Sequence, residues 1–216
     1  NGTIDGAATK VVPTTFDTAI VAPKAEREGY TFAGWSTDKD ATVGTNNLGT
    51  LTTETPATYY AIWSADGAKY TVEFYEMNLD GENYTLVGSD NTLEGVVDQP
   101  VDTYVPAAKT GFTVNEELSV LDGTVPATGT LVLKVYYDRN AYNLTYKGAG
   151  ADHASFEVLY GTPVAEWPVP DTNPERTGYY FDKWNASAEV TMPAKDVAIT
   201  AAWAKESDTI EFNVDG

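Results

Sequence analysis

The chain has 216 residues, carries 32 acidic against 13 basic side chains for a formal net charge of -19, and contains no cysteine. That balance excludes phosphate-backbone recognition, which needs Lys and Arg to displace counterions, and the missing thiols exclude disulfide staples and thiolate metal sites. With 14 Tyr, 7 Phe and 5 Trp, small domains can still bury a core, since each buried ring removes roughly 150–250 Å² from water.

The first strong signal is EREGYTFAGW, Glu26 to Trp35, followed by a strand-like YYAIW that ends at Trp63. Arg27, Gly29, Tyr30, Phe32 and Trp35 return at the same spacing as Arg176, Gly178, Tyr179, Phe181 and Trp184, and Trp63 returns as Trp203 at the end of ITAAW. A fixed internal period marks a repeat architecture. In a strand, Tyr30, Phe32 and Gly34 lie on one face and Thr31, Ala33 and Trp35 on the other, so these aromatics can share a core only through a bend or bulge, which Gly34 can supply. Trp35 and Trp63 are 28 positions apart and Trp184 and Trp203 only 19. The extra residues of the first repeat fall in the polar, Gly-containing DKDATVGTNNLGTL, which reads as a loop.

Alternating apolar residues then mark strands at Tyr70, Val72 and Phe74, at Leu131, Leu133, Val135 and Tyr137, at Tyr142, Leu144 and Tyr146, and at Ile210, Phe212 and Val214. Turn signals punctuate them, among them Asp66–Gly67, Asp80–Gly81 and Asp122–Gly123. No apolar pattern holds a 3.6-residue period for three turns. The expected class is mainly β (α+β), with at most a short helix per module. The expected organisation is a first module at 1–67 that lacks its first strand, a divergent module at 68–139, a third module at 140–205, and at 206–216 the first strand of a following module. In the divergent module Pro106, Lys109, Gly111, Phe112 and Val114 echo Pro23, Arg27, Gly29, Tyr30 and Phe32, but Glu117 stands where the tryptophan would be. The dipeptides Pro56–Ala57, Pro126–Ala127 and Pro193–Ala194 precede the closing strands.

The repeated aromatics read as core, with Trp35, Trp63, Trp184 and Trp203 mostly buried, and Arg27 and Arg176 as local packing or pairing residues. Trp167 lies outside the repeat, in the proline-rich WPVPDTNP, and is the candidate ligand contact, edge packing being the alternative. Catalytic chemistry has no anchor: His153 has no Cys to activate and no motif-linked Ser. NLDGEN, Asn78 to Asn83, has Ca²⁺-type oxygen ligands but neither the length nor the terminal Glu of an EF-hand loop, and reads as a hairpin turn. No metal or cofactor is expected. No run of about 18 apolar residues occurs, so no membrane insertion is expected either.

The pairs EREGYTFAGW with YYAIW and ERTGYYFDKW with ITAAW resemble the Listeria–Bacteroides repeat, the internalin B-repeat-like module, over the first and third modules. Lys183, in place of the glycine before the tryptophan, and Thr200, in place of the closing tyrosine, depart from that pattern. The middle module is similar to the mucin-binding-protein type of repeat. The resemblance implies tandem β-grasp-like (ubiquitin-like) modules in a secreted or wall-anchored bacterial protein, with no catalytic residues to carry over. The expected function is a spacer or adhesion segment at the bacterial cell surface, facing a host or cell-surface protein or glycan. The alternatives are a carbohydrate- or mucin-binding module using exposed aromatics, and an acidic hydrolase. Head-to-tail self-association through residues 207–216 is a further expectation, because a free strand and an incomplete first module would complement each other.

Overall fold

The computed structural model describes residues 2–53 and 57–212. Pro56 and Val214 of the patterns above lie outside them. Among the described residues ten strands form, in chain order β1 (Tyr30–Ser36), β2 (Tyr60–Ala65), β3 (Gly67–Met77), β4 (Tyr84–Val96), β5 (Phe112–Val114), β6 (Val132–Arg139), β7 (Ala141–Lys147), β8 (Asp152–Leu159), β9 (Tyr179–Trp184) and β10 (Val197–Lys205). The class is mainly β. Among the described residues the one helical element is a 3-10 turn at Val164–Glu166, so the α part of the expected α+β class is absent. The connections explain it, because they are proline-rich and polar and offer a helix no continuous apolar stripe.

Two compact units divide the chain: Asn1–Glu73 with Gly88–Val105 and Ser119–Val135, and Phe74–Val87 with Pro106–Leu118 and Tyr136–Gly216. The long strands β3, β4 and β6 contribute residues to both. Those strands belong to a sheet of order β4-β3-β6-β5. Along β6 the expected alternation is visible, with Leu133, Val135 and Tyr137 buried.

Within the second unit, β8-β7-β10-β9 form a mixed sheet. β7 and β8 are an antiparallel hairpin, and β10 runs parallel to β7 with Val197 opposite Leu144 and Thr200 opposite Lys147. Leu144, Tyr146, Val158, Trp167, Met192 and Ile199 make its core. In the first unit β1 and β2 pair antiparallel, Phe32 opposite Trp63, and Ile4, Ala25 and Trp35 make the core beneath them.

The register slips by one residue between Phe32 and Gly34, and at the matching place in β9, where Trp203 faces Phe181 and Ala202 faces Lys183. One unpaired residue in each strand, Ala33 and Asp182, turns a two-residue alternation into three and brings Phe and Trp onto one face. Phe32 then meets Trp35 edge-on at 5.3 Å and Trp63 at 5.5 Å, and Phe181 meets Trp184 at 5.1 Å and Trp203 at 6.3 Å. Trp35 is buried, whereas Trp63, Trp184 and Trp203 are half-buried.

The bulge is common to both copies, but its glycine is not. At Gly34 φ is +112°, and a Cβ there would stand 2.6 Å from the backbone nitrogen of Thr45. Thr45 belongs to the longer loop of the first repeat, and its N–H and C=O both bond to Trp35, at 3.0 and 2.9 Å. The extra residues therefore fold back as a strap over the bulge and exclude a side chain. Between Trp35 and Leu51 there are 16 positions and between Trp184 and Met192 only 8, so the later copy of the repeat has no strap and Lys183 is admissible. Gly34→Lys should lower stability by about 2–4 kcal/mol through the positive φ and the blocked Cβ, whereas Lys183→Gly should change it by under about 1 kcal/mol. Chemical denaturation of the two variants checks the asymmetry, and equal losses would refute the strap.

In the second unit Tyr84 donates its hydroxyl to Asp138 at 2.5 Å, and Asn115 donates its amide to the same carboxylate at 3.1 and 3.0 Å. Tyr136 packs edge-on against Tyr84 and stacks on Tyr75 at 4.7 Å. Burial first, and then the hydrogen bond to Asp138, hold the Tyr84 hydroxyl above the ordinary tyrosine range. A raised folded value means that the neutral form is favoured by folding. The contribution is fully present below the unfolded tyrosine value of about 10 and is lost as pH rises through the folded one. Thermal melts should therefore show wild type losing more stability than Tyr84→Phe between about pH 9 and pH 12; parallel profiles would contradict the assignment.

Candidate functional site

Three tight turns have the same build. In each, the amide of the fourth residue donates to the carbonyl of the first: Tyr30 to Arg27 at 3.2 Å, Phe112 to Lys109 at 3.1 Å, and Tyr179 to Arg176 at 3.1 Å. The third residue is Gly29, Gly111 or Gly178, with φ of +73°, +78° and +74°, the left-handed position that a type II turn requires. The cation at the first position lies over the ring at the fourth. Arg27 is 3.4 Å from the Tyr30 centroid, Lys109 5.2 Å from Phe112, and Arg176 3.9 Å from Tyr179. The recurring Arg-x-Gly-aromatic spacing is thus a turn with a cation stacked on its exit residue.

Each turn also receives the end of its closing strand. The glycine carbonyls of Gly29, Gly111 and Gly178 accept from the amides of Asp66 at 2.9 Å, Asn140 at 2.9 Å and Glu206 at 3.1 Å. Thr31 donates its hydroxyl to Asp66 and Thr113 its hydroxyl to Asn140, at 2.7 and 2.8 Å. Asp66 and Asn140 in turn accept at their carbonyls from the amides of Val97 and Tyr160, at 2.9 and 2.8 Å. These two residues follow β4 and β8, so Asp66 and Asn140 are junctions, each bonded to a turn glycine on one side and to the end of the hairpin that follows it on the other.

Gly29 and Gly111 lie flat against residues of those hairpins and their surroundings. A Cβ at Gly29 would meet the Ala127 methyl at 2.6 Å and Val97 at 2.9 Å, and one at Gly111 would run into the Tyr160 ring. At the first junction Asp98 accepts from Tyr30 Oη at 2.5 Å and pairs with Arg27 at 3.2 Å. Its hydrogen bond is the main reason that the Tyr30 hydroxyl stays above the usual range. At the second junction no acid occupies that place. Arg139 donates to the carbonyls of Met77 and Tyr160, at 3.1 and 2.8 Å, and Lys109 pairs with Glu76. Burial pulls the Arg139 guanidinium below the ordinary arginine range.

At the third turn a Cβ on Gly178 would have nothing within 4 Å. Arg176 lies over Tyr179 and Trp203, and no ion pair to it occurs among the described residues. The turn is complete and its outer face is open.

Trp167, the candidate contact, requires a correction. It is only 6% exposed, belongs to the core of the mixed sheet, and donates its indole N–H to Thr162 at 3.0 Å. The 3-10 turn that precedes it folds the proline-rich segment back over that core, so proline content did not imply exposure. His153 contacts the Thr172 carbonyl and packs near Trp184 at 5.8 Å. Asp80 accepts from the amides of Glu82 and Asn83 and from the Asn83 side chain, each at 2.9 Å, which closes a hairpin turn and depresses its carboxyl. No grouping of three or more His, Asp or Glu side chains suited to a metal occurs among the described residues. An open groove of about 670 Å³ beside the first turn has Pro23, Lys24, Glu26, Arg27, Tyr30 and Thr31 among its lining residues. Asp98 escaped the sequence reading, although VVDQP and LYGTP, which carry it and its counterpart Gly161, share a proline at one register.

The Listeria-Bacteroides repeat domain family matches this chain at residues 1–62 and 142–211. A relative from Evansella cellulosilytica, whose name describes it as a Gly-rich membrane protein, is 25% identical over 195 residues, covering 85% of this chain. The chain spans only 20% of that relative's length. No helix among the described residues is long and apolar enough to cross a membrane.

The two glycines separate turn strain from junction packing. Gly178→Ala should cost about 1 kcal/mol, the strain of a left-handed alanine alone. Gly29→Ala adds the collision with Ala127 and Val97 and should cost roughly 3 kcal/mol. Denaturation midpoints of the two single variants give the comparison, and a Gly178→Ala loss equal to that of Gly29→Ala would show that junction packing contributes nothing.

Proposed function

The chain belongs to the Listeria-Bacteroides repeat domain family, and on that footing we propose that it is a non-catalytic segment of a bacterial cell-surface protein, in which small β-grasp-like modules are strung in tandem as spacer and adhesion units. The observation that carries this reading is the junction. The same glycine carbonyl accepts the amide that follows the closing strand at Asp66 and again at Asn140, and each of those residues is bonded to the next repeat. Successive modules are thereby coupled through backbone and packing rather than through a loose Gly/Ser linker, which suits a segment that must transmit length or force. The proposed boundaries are 1–67, 68–139 and 140–205, with 206–216 opening a following module.

The β-grasp assignment draws support from the order β8-β7-β10-β9, in which two antiparallel pairs meet along a central parallel pair. The middle module lies outside the family match, and we read it as similar to the mucin-binding-protein type of repeat. The high negative charge favours solvated modules that repel one another laterally. Adhesion by this segment would use exposed rings such as Tyr60 and Tyr180 rather than the buried Trp167.

Antibodies raised against the 216-residue chain should label intact cells of the source bacterium without permeabilisation. Labelling that appears only after the envelope is breached would overturn the surface assignment.

A further inference from the structure

Hydrogen bonding makes three loop positions equivalent. Asp98 donates to Val125, which donates back to Gln99, at 2.9 and 3.0 Å; Gly161 and Met192 repeat the exchange through Thr162 at 2.8 and 2.8 Å. In the first repeat Asp17 donates to Leu51, which donates back to Thr18, at 2.8 and 2.9 Å. Asp17, Asp98 and Gly161 therefore hold one position, and all three have a φ between +59° and +83°. The residue before each is Phe16, Val97 or Tyr160. Val97 and Tyr160 are the residues that seat on the preceding repeat's turn glycine. Val97 is 1% exposed in its seat, and Phe16 is 59% exposed.

Among the described residues Phe16–Asp17 is thus a knob seated on no turn, and the turn at Arg176, Gly178 and Tyr179 a socket that receives no knob. We propose that they fit each other between two copies of this chain, so that Phe16 of one copy packs on Gly178 of the next and Asp17 pairs with Arg176 and the Tyr179 hydroxyl. The chemistry matches both internal junctions. An aromatic knob is seated at Gly111, and an aspartate at the knob position bonds the stacked Arg27 and Tyr30 at Gly29. The socket also has the third component ready, because Glu206 already donates to Gly178 as Asp66 and Asn140 do to their glycines.

The strand partners follow from the same register. Tyr160 bonds Asn140, and four positions further along each strand Phe156 faces Leu144. Placing Phe16 against Glu206 sets Val12 against Ile210, so that residues 207–212 of one copy lie antiparallel to residues 10–15 of the other. Neither segment is in a strand within one molecule, and Val11, Ile210 and Phe212 are 89%, 73% and 87% exposed. Pro13 takes the place of Glu157 opposite Thr209. The counterpart of Thr209 is Asn143, whose N–H leaves the ladder for Asp196, so the missing proline donor breaks no pairing there. The contact is head to tail, a heterologous geometry that extends copies of this 216-residue segment into chains.

The proposal needs the equivalence of the repeats and not their cellular location. Its test is sedimentation velocity of the 216-residue chain from about 10 μM to about 1 mM, a range suited to a weak interface, together with Asp17→Arg and Arg176→Asp. Wild type should sediment faster as concentration rises, and either variant alone, with like charges facing, should remain folded and monomeric, Arg176→Asp melting somewhat lower through the loss of its stack on Tyr179. An equimolar mixture of the two should recover association, since each interface then joins opposite charges. A wild type that stays monomeric throughout, or variants that associate as it does, would overturn the proposal.

Discussion

The structure depends on a four-residue turn with a glycine in the left-handed position and a cation stacked over its exit ring. That turn launches the aromatic strand, presents a carbonyl to the end of the closing strand, and leaves a surface with no side chain against which the next repeat can press. Any other residue would pay in strain for the turn and in collision for the junction. One backbone conformation therefore serves the inside of a module and its outside together.

A second constraint shapes the interior. Strand side chains alternate, so a Phe and a Trp three positions apart fall on opposite faces unless one residue leaves the ladder. The bulge at Ala33 and Asp182 solves this in both copies, by register rather than by glycine. The glycine of the first copy answers a different demand, room for the strap that ends at Thr45. Departure from the repeat pattern at Lys183 is thus a consequence of a following loop that is eight residues shorter, and carries no penalty of its own.

The electrostatics differ between junctions while the geometry does not. At the first, an acid collects a guanidinium and a phenol. At the second, a partly buried arginine takes two carbonyls, and the neighbouring lysine finds its carboxylate on β3. Exposed pairs of this kind contribute little energy by themselves. Their part is to select which knob sits in which socket, while burial of Val97 and Tyr160 supplies the larger share of the attraction.

The strand expected at Ile210 and Phe212 does not form, residues 206–212 holding no regular structure, but the sequence by itself determined the repeat, the mainly β class, the tryptophan positions that close each copy, the need for a bulge and the place of the extra loop. Each follows from local spacing, which the chain carries whatever its tertiary neighbours. Only the tertiary structure decided that Trp167 is core, that Gly34 answers to Thr45, and that Asp17, Asp98 and Gly161 are one position. Trp167 was misread because burial is set by what folds over a residue and not by the prolines beside it. The equivalence of Asp17, Asp98 and Gly161 was invisible because side chains there differ, the shared requirement being a positive φ and a pair of backbone hydrogen bonds. A constraint held by backbone atoms leaves little trace in residue identity, and contacts between segments tens of residues apart appear only once the chain has folded.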